Sequence, residues 1–484
     1  MKNNLPVPNS APRKVANPRS RWPWLLASGC ALVILIGLLR RPHQDDSFGA
    51  TASPNTAGAG GGGDGADIAR ARRPLRGSGS DPAFTAEEVV VRKLSQFARL
   101  RREYAHALAQ RHGVEVTGDV ERFFDAVESG NWDNIESAFR KINGGDSSAG
   151  YSDKRAPGVE HLWPAIIDAY GVAEQAHEWP AQKLLDYGNA VLGALRPGMV
   201  YVGGTDNGRW IPELLNDTSD GEHHIIVTQN ALADSTYVDY LQLQYDERVA
   251  MLSSEDSGRA FKDYVADAGQ RLRHDQEHPD EPKQLLPGED VRMVDGKTEV
   301  SGQVAVMAIN ERLLQTLMAK NPDLSFALQE SFPLKGTYAD AAPLGPLMEL
   351  RAQDGQNSFT AERASESVDY WRNTARQVLA DPEASGSPAA LKSYSHDATA
   401  AANLLAAHDF TGQAEQAYRV ASQLWPGNPE PVGSLAGLLA SNGREDEARR
   451  MVEEFGRKYP DQQKALERVS GTFRFVGPAP PPRP

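Results

Sequence analysis

The chain has 484 residues, 40% of them hydrophobic, which is long enough for two to four folded units. Its formal net charge of −14 is unevenly distributed, because residues 1–41 hold seven basic residues and no acidic ones. The remaining 443 residues carry 44 basic and 65 acidic side chains, a net charge of −21. Phosphate binding needs a basic surface, so this composition argues against a nucleic-acid partner.

Residues 22–39 form an apolar run of eighteen residues without a charge, near the lower limit for a bilayer core of roughly 30 Å. We predict one transmembrane helix here. Five basic residues precede it and two follow, so residues 1–21 should be cytoplasmic and the body periplasmic, a single-pass protein of the inner membrane. A cleaved signal peptide is the alternative. Cys30, the only cysteine, falls inside this run, which leaves the body without a thiol or a disulfide.

Two segments follow the predicted span. Residues 42–82 are rich in glycine around Gly60 and lack the apolar side chains for a core, so they should form a disordered tether. Residues 83–154 form a helical region, with predicted helices over 85–112, 121–127 and 132–142. Three basic side chains are expected on the exposed side of the first helix: Arg99, Arg101 and Arg102.

Residues 155–352 are predicted to form an α/β domain. Short apolar runs rich in β-branched residues predict strands, and they alternate with helical patterns. An Asp295-Gly296 pair between two such runs predicts a tight hairpin. The fold class that follows is a largely parallel sheet, half of a Rossmann-like arrangement, preceded by helices and followed by helical repeats. The predicted strands are 199–202, 225–228, 291–294, 297–300, 304–309, 325–329 and 346–350, and the predicted helices are 160–176, 180–195, 211–215, 234–245 and 257–273.

The C-terminal region contains a repeat with a period of 34 residues. Pro426 and Pro460 are 34 apart, as are Ala414 and Ala448. Period and residue types predict two tetratricopeptide repeats, 395–428 and 429–462, in a helical block over 359–472 that includes an earlier helix at 359–380. Two repeats expose their outer faces, so we expect the block to pack on the α/β domain or on a protein partner. A Pro-rich tail covers 475–484.

Polar residues follow two successive predicted strands, where open α/β sheets bind ligands. The candidate ligand-binding residues are Gly203, Gly204, Thr205, Asp206, Asn207 and Arg209 after the first strand, and Gln229, Asn230 and Asp234 after the second. In this interpretation Asp206 acts as a base or holds a sugar hydroxyl, and Arg209 pairs with a carboxylate or phosphate. The structural alternative is that Asp206, Asn207, Asn230 and Asp234 cap the helices that follow.

Motifs of several enzyme classes are missing from the sequence. It contains no G-x-x-x-x-G-K-[ST] phosphate loop, no H-E-x-x-H zinc motif and no G-x-S-x-G nucleophile elbow. It also contains no Asp-x-Asp pair, which argues against a nucleotide-sugar transferase that depends on such a pair. We therefore assign no catalytic residue, and we expect no metal and no cofactor.

Several segments together resemble a known bacterial arrangement. They are 195–210, 226–234 with Tyr237, 304–310, 330–334 and 345–350. In this order they resemble the soluble extracytoplasmic domain of multi-span, glycosyltransferase-like membrane proteins similar to protein O-mannosyltransferases, often followed by tetratricopeptide repeats. The resemblance covers roughly 160–350 and the repeats. It implies an envelope protein, accessory or glycan-recognising; because the chain has one predicted span, it carries over no transferase activity.

The leading hypothesis is therefore a membrane-anchored, extracytoplasmic binding or scaffold protein that is accessory to envelope glycan assembly. Its α/β domain would bind a glycan or small polar ligand, and its repeats a protein partner. The alternative is an enzyme of envelope glycan or lipid-linked sugar metabolism with Asp206 as acid/base. That alternative requires a second group, such as Glu330 or His161, about 5 to 9 Å from Asp206 in a closed pocket. A third hypothesis is a structural assembly factor that acts only through the repeats.

Overall fold

The structure, a computed structural model, describes residues 84–144, 155, 158–286, 288–351 and 359–470. The segments 1–21, 22–39, 42–82 and 475–484, interpreted above as cytoplasmic N-terminus, membrane span, tether and tail, lie outside these residues. Within the described ranges, no helix combines the length and the apolar character needed to cross a membrane. This part of the chain is mostly helical and contains a mixed five-stranded sheet.

Five helices precede the sheet, and the sequence predicted each of them within a few residues. The first begins with a capping box, in which Thr85 Oγ1 accepts from Glu88 N at 3.2 Å and the Glu88 carboxylate accepts from Thr85 N at 2.8 Å. The expected exposure of Arg101 is wrong, because its side chain is 0% exposed. The helices are α1 Ala86–His112, α2 Gly118–Ser129, α3 Trp132–Ile142, α4 Val159–Glu178 and α5 Ala181–Leu192.

The sheet is only partly parallel, so the predicted largely parallel arrangement holds for three of its strands. The strand order is β2-β1-β5-β7-β6. Strand β1 runs parallel to both β2 and β5, whereas β5 pairs antiparallel with β7 and β7 antiparallel with β6. The carboxyl ends of β1, β2 and β5 therefore meet at one edge. The strands are β1 Val200–Gly203, β2 Ile225–Thr228, β5 Phe326–Leu328, β6 Ala342–Leu344 and β7 Leu347–Leu350.

Helices α6 Asn207–Asp217 and α7 Ser235–Tyr245 follow β1 and β2. Two tyrosines of α7 cover the outer edge of β2, because Tyr245 OH accepts from Ile226 N at 2.9 Å and Tyr237 OH accepts from Thr228 N at 2.8 Å. These hydroxyls satisfy donors that an open edge strand would leave free. Strand addition by a partner is therefore blocked at this edge.

The predicted strand 304–309 is wrong, because these residues lie in the helix α9 Gly302–Lys320. A short buried apolar run does not by itself distinguish a strand from a buried helix, and this one continues as an apolar helical pattern to Met318. The predicted hairpin is confirmed as β3 Asp290–Val294 and β4 Lys297–Ser301, with positive φ at Asp295 (49°) and Gly296 (75°). It packs on α9 and on the preceding helix α8 Ser254–Glu277.

The predicted helical block forms two helix pairs that repeat at 34 residues. Helix ends recur at Ala407 and Ser441, and again at Leu424 and Lys458. An earlier helix stacks on the first pair, as expected, and a last helix packs on the second pair through Leu466. The helices are α10 Ala361–Ala380, α11 Pro382–Ser385, α12 Pro388–Ala407, α13 Thr411–Leu424, α14 Pro429–Ser441, α15 Glu445–Lys458 and α16 Gln463–Ser470.

The repeats and the α/β region share one hydrophobic core. The same cluster of buried side chains includes Phe97 of α1, Val202 of β1, Leu404 of α12 and Tyr418 of α13. Helix α12 contacts strands β6 and β7 directly. The expectation that the short repeat block packs on the α/β domain is therefore met, and α12 lies against the sheet.

Candidate functional site

Two glycines allow the loop after β1 to approach the segment that follows β5. A Cβ on Gly204 would lie 2.1 Å from Ser331 Cβ, and a Cβ on Gly208 would lie 2.2 Å from the side chain of Gln329. Side-chain carbons do not approach so closely, so both positions need glycine. Gly203 ends β1. The glycine-rich loop therefore brings the ends of β1 and β5 together.

Asp206 and Asp234 cap the helices that follow them. Asp206 accepts from Gly208 N at 3.0 Å, and Asp234 accepts from Thr236 N at 2.9 Å. Both residues therefore have the structural role that the sequence left open beside ligand binding. Asn207 is instead the first residue of α6, and its amide bonds the hydroxyl of Ser393 on α12. Asp206, Asn207 and the preceding Thr205 remain partly exposed.

The expectation that Arg209 projects into the crevice is wrong. Its side chain is 2% exposed, and its guanidinium donates to Asp168 at 2.8 Å and to Glu213 at 2.6 Å. Its Nε also donates to Gly204 O at 2.8 Å. Every residue of α6 from Gly208 to Asn216 is buried, so this helix offers Arg209 no route to solvent. Arg209 therefore holds the loop after β1 from its buried side.

A buried ionic network surrounds Arg209. Arg101 of α1 donates to Glu213 at 2.8 Å and to Asp217 at 2.6 Å, and the Tyr240 hydroxyl donates to Asp168 at 2.9 Å. Burial raises the pKa of Glu213, although Arg209 opposes the shift. A protonated Glu213 leaves two arginines facing two aspartates, a balanced set of buried charges. Only the i, i+4 spacing of Arg209 and Glu213 signalled this network in the sequence.

Gln229 and Asn230 hold the loop from the other side. The Gln229 side-chain oxygen, in the amide orientation that satisfies both groups, accepts from Ser331 N at 2.9 Å and Phe332 N at 2.8 Å. Asn230 Nδ2 donates to Thr205 Oγ1 at 3.0 Å. Gln229 is 0% exposed and Asn230 is 9% exposed. The sequence thus correctly grouped the two strand ends.

Helix α12 of the first repeat covers this edge of the sheet. Asp397 accepts from Gln329 Nε2 and from the Tyr187 hydroxyl, both at 2.8 Å. The neighbouring His396 contacts Glu330 O at 2.6 Å and Glu430 Oε2 at 3.1 Å. We use the name edge cluster for Asp206, Gln329, Glu330, His396 and Asp397.

Three hydrogen bonds fix the carboxylate of Glu330, a member of the edge cluster. Its carboxylate accepts from the Tyr338 hydroxyl at 2.5 Å, from Asn403 Nδ2 at 3.5 Å and from Leu334 N at 3.4 Å. The side chain is 3% exposed. His161, the other group considered as a partner for Asp206, stacks instead on His112 with 4.2 Å between ring centroids.

Burial and charge shift the pKa values of the edge cluster in opposite directions. Burial raises the pKa of Asp397 to about 6; His396 and the hydrogen bonds from Gln329 and Tyr187 oppose this shift, and Asp206 adds to it. Burial also raises the pKa of Glu330. For His396, burial lowers the pKa but the hydrogen bond and charge of Glu430 outweigh it, raising the value to about 10. Both partners of the His396 ring are acceptors, which agrees with a charged imidazolium.

Two buried amide oxygens of this edge have no hydrogen-bond donor. They are Asn230 Oδ1 and Gln329 Oε1. Buried polar atoms are nearly always paired, so these two positions suit a bound water or a ligand. A cleft lined by Glu330, Asp397 and Met348 lies between α12 and the strands, with room for about one water molecule.

The sequence did not single out His396, Asp397 or Gln329 as site residues. Asp397 lies 68 residues from Gln329 and 210 from Tyr187, so no local motif joins them. Within the described residues, no group of three or more His, Cys, Asp or Glu side chains is arranged to hold a metal ion.

Comparison of the chain with protein-family models, with curated proteins and with solved structures found no match.

Proposed function

We propose that this chain is a membrane-anchored, extracytoplasmic binding and scaffold protein. Residues 22–39 would anchor it, and the body would bind a small polar ligand at the edge cluster. One observation carries the proposal: the α/β region and the first repeat helix meet at Gln329, one of two buried acceptors of this sheet edge that lack donors. Charged and polar groups that converge in this way favour a binding site over an ordinary core contact.

The repeat block would have two roles. Its first helix closes the ligand site through His396 and Asp397, so this face is engaged within the chain. A protein partner would therefore bind the exposed face of α15, a helix in which only Ala448 and Phe455 are buried. Exposed charged side chains such as Arg450 and Glu454 mark that face.

The resemblance to the soluble domain of protein O-mannosyltransferase-like proteins supports an envelope role. In this proposal the chain assists glycan assembly as an accessory module and leaves group transfer to another protein. The polar loop after β1, which carries the resemblance, also forms one side of the edge cluster.

A second candidate function is catalysis on an envelope glycan or lipid-linked sugar, with Asp206 as acid/base. It is supported by the carboxyl group of Asp397. Burial raises the pKa of Asp397 to about 6, and the negative charge of Asp206 adds to this rise. A carboxyl group that titrates near neutral pH suits proton transfer. The narrow cleft beside it favours the binding function.

Ligand binding is tested with the full chain in detergent, using the change in tryptophan fluorescence on heating. A panel of sugars, sugar phosphates and nucleotides is expected to contain at least one compound that raises the Tm. Asp206→Asn and Asp397→Asn should abolish that rise. Asp381→Asn is the matched control, because Asp381 also caps a helix by accepting from the residue two positions on, Glu383 N at 2.9 Å. A Tm that no compound changes would contradict the ligand-binding role.

Anchoring is tested separately by cell fractionation. The full chain should remain in the membrane pellet after carbonate extraction, whereas a chain that lacks residues 1–41 should be released. Cysteine labelling from the periplasmic side, with a cysteine placed at the exposed Arg292, reports the orientation of the body. Recovery of the full chain in the carbonate supernatant would contradict the anchor.

A further inference from the structure

The exposed side of α15 carries four pairs of charged side chains whose sign alternates along the helix. The first pair is acidic, the second basic, the third acidic and the fourth basic. All eight side chains are exposed or partly exposed, whereas Ala448 and Phe455 on the opposite side of α15 are buried. The pairs are Glu445 and Asp446, Arg449 and Arg450, Glu453 and Glu454, and Arg457 and Lys458.

These eight charges are not used within the described part of the chain. Charges of alternating sign on a helix ordinarily pair with a side chain four residues away. Among the residues that the structure describes, none of the eight forms such an ion pair. The ion pairs that join α13 to the start of α15 use Arg444 and Glu447 instead. The four pairs therefore remain available to charges of another molecule.

Antiparallel pairing of α15 with a second copy of itself sets every charged pair against its opposite. A two-fold axis beside Met451 and Val452 places the acidic pair at 445–446 opposite the basic pair at 457–458 of the other copy. It likewise places the basic pair at 449–450 opposite the acidic pair at 453–454. Each match occurs twice by symmetry, so the contact is self-complementary in charge. A uniformly acidic or basic partner would instead meet like charge at two of the four pairs.

The size of this face indicates a weak contact. Helix α15 has 14 residues and is about 21 Å long, so a strip about 10 Å wide along it covers about 200 Å² per copy. A stable dimer buries about 800 Å² per partner. Ion pairs between exposed side chains also contribute little each. Copies must therefore be held close together, which the proposed membrane anchor provides by restricting them to one surface.

From these observations we infer that the chain self-associates on the membrane through an antiparallel contact between the α15 helices of two copies. The inference rests on the proposed anchored scaffold and identifies its protein partner as a second copy of this chain. The contact is reversible and sensitive to salt, because it consists of exposed charges.

The test is energy transfer between full chains reconstituted in phosphatidylcholine vesicles. Each chain carries Cys30→Ser and a donor or acceptor dye at Asp461→Cys, an exposed position just after α15. Flotation shows whether the chains are bound to the vesicles. Energy transfer above the level of random encounters is expected at about 0.1 M salt. It should be lost at about 1 M salt, where the screening length falls to about 3 Å.

Charge reversal identifies the surface. Arg450→Glu in both donor and acceptor chains places like charges opposite each other twice, and should weaken self-association roughly tenfold. Glu454→Arg in both chains should have the same effect. A donor with Arg450→Glu mixed with an acceptor with Glu454→Arg should recover the energy transfer, because each reversed side chain then meets its opposite. Arg259→Glu is the matched control: Arg259 is exposed and lies four residues from Glu255 on α8, so its reversal should change nothing.

The outcomes separate this inference from the function on which it rests. Energy transfer no higher than random would overturn self-association and leave the face to another protein, while the anchor and the ligand site stand. Energy transfer that both single reversals leave unchanged would place the contact elsewhere and overturn the inference. Mixed variants that do not recover would show that the helices are not antiparallel, which also overturns it. Chains that do not float with the vesicles would remove the anchor and this inference together.

Discussion

Asp397 of the first repeat helix accepts a hydrogen bond of 2.8 Å from the side chain of Gln329, directly after strand β5. The same carboxylate accepts from Tyr187 of α5 at 2.8 Å. One buried side chain thus joins the helices before the sheet, the sheet edge and the repeats. Asp397 is 3% exposed, so these bonds are shielded from water. In such a buried environment an unpaired polar group is especially costly.

Replacing Asp397 should destabilise the whole chain. Asp397→Ala leaves a buried hydroxyl and a buried amide without an acceptor, which should lower the free energy of unfolding by about 2 kcal/mol. Urea denaturation followed by tryptophan fluorescence measures the change. Asp369→Ala removes an exposed carboxylate of α10, 65% exposed, and should change the stability by less than about 0.5 kcal/mol. Equal effects of the two variants would show that the Asp397 bonds do not stabilise the interface.

The raised pKa of Asp397 predicts a pH dependence of stability. Its pKa is 3.8 in the unfolded reference and about 6 in the folded protein, so the folded state binds the proton more tightly. This contribution is complete below pH 3.8 and is lost as pH rises through about 6. The loss should approach about 3 kcal/mol by pH 7.5.

The pH effect is isolated by comparing the wild type with Asp397→Asn. The free energy of unfolding of each is measured between pH 4.5 and 7.5, and the difference between them should shift in favour of the variant as pH rises. Other groups, such as Glu330, contribute to both proteins and cancel. A constant difference across this range would contradict a shifted Asp397.

The loop after β1 should not tolerate a side chain at Gly204. Gly204→Ala places a Cβ 2.1 Å from Ser331 Cβ and should lower stability by about 1–3 kcal/mol. Ser331→Gly in the same chain should restore part of the loss, because it removes the atoms that clash. Gly412→Ala is the control: it lies in α13 with nothing within 4 Å, and should stabilise by about 0.5 kcal/mol. Thermal unfolding of the three variants measures these changes, and a neutral Gly204→Ala would contradict the close approach.

Local signals in the sequence predicted much of the fold. Thr85 and Glu88 form a capping box three residues apart, and Asp295-Gly296 is a two-residue turn. The period of 34 residues likewise placed the repeat helices. Such signals act within a few residues or recur along the chain, so they can be recognised without tertiary structure. The run at 304–309 failed because a buried helix and a buried strand share the same apolar composition.

The candidate site was predicted only in part, because side-chain direction depends on distant residues. The sequence grouped the ends of β1 and β2 correctly. The prediction that Arg209 faces the crevice was wrong, however. Nothing near Arg209 in the sequence reveals its ion pair with Asp168 or the burial of α6 on all sides. Asp397 was missed for a similar reason: its partners lie 68 and 210 residues away, and its role follows only from the docking of the repeats.

The network around Arg209 should be sensitive to the loss of one cation. Arg209→Met keeps the bulk of the side chain but removes one of two buried cations, so that Asp168 retains Tyr240 and Glu213 retains Arg101, at a cost of about 3–5 kcal/mol. Part of this loss should be recovered by adding Glu213→Gln, since the amide keeps an oxygen for Arg101 and removes a buried acid beside Asp168. Arg259→Met is the control, because Arg259 is 63% exposed and forms the same i, i+4 pair with Glu255 on the surface, where such pairs contribute about 0.3–0.5 kcal/mol. Denaturation of all three variants measures these differences. Equal losses for Arg209→Met and Arg259→Met would mean that the buried network adds nothing beyond a surface pair, and the loop at Gly204 would need another support.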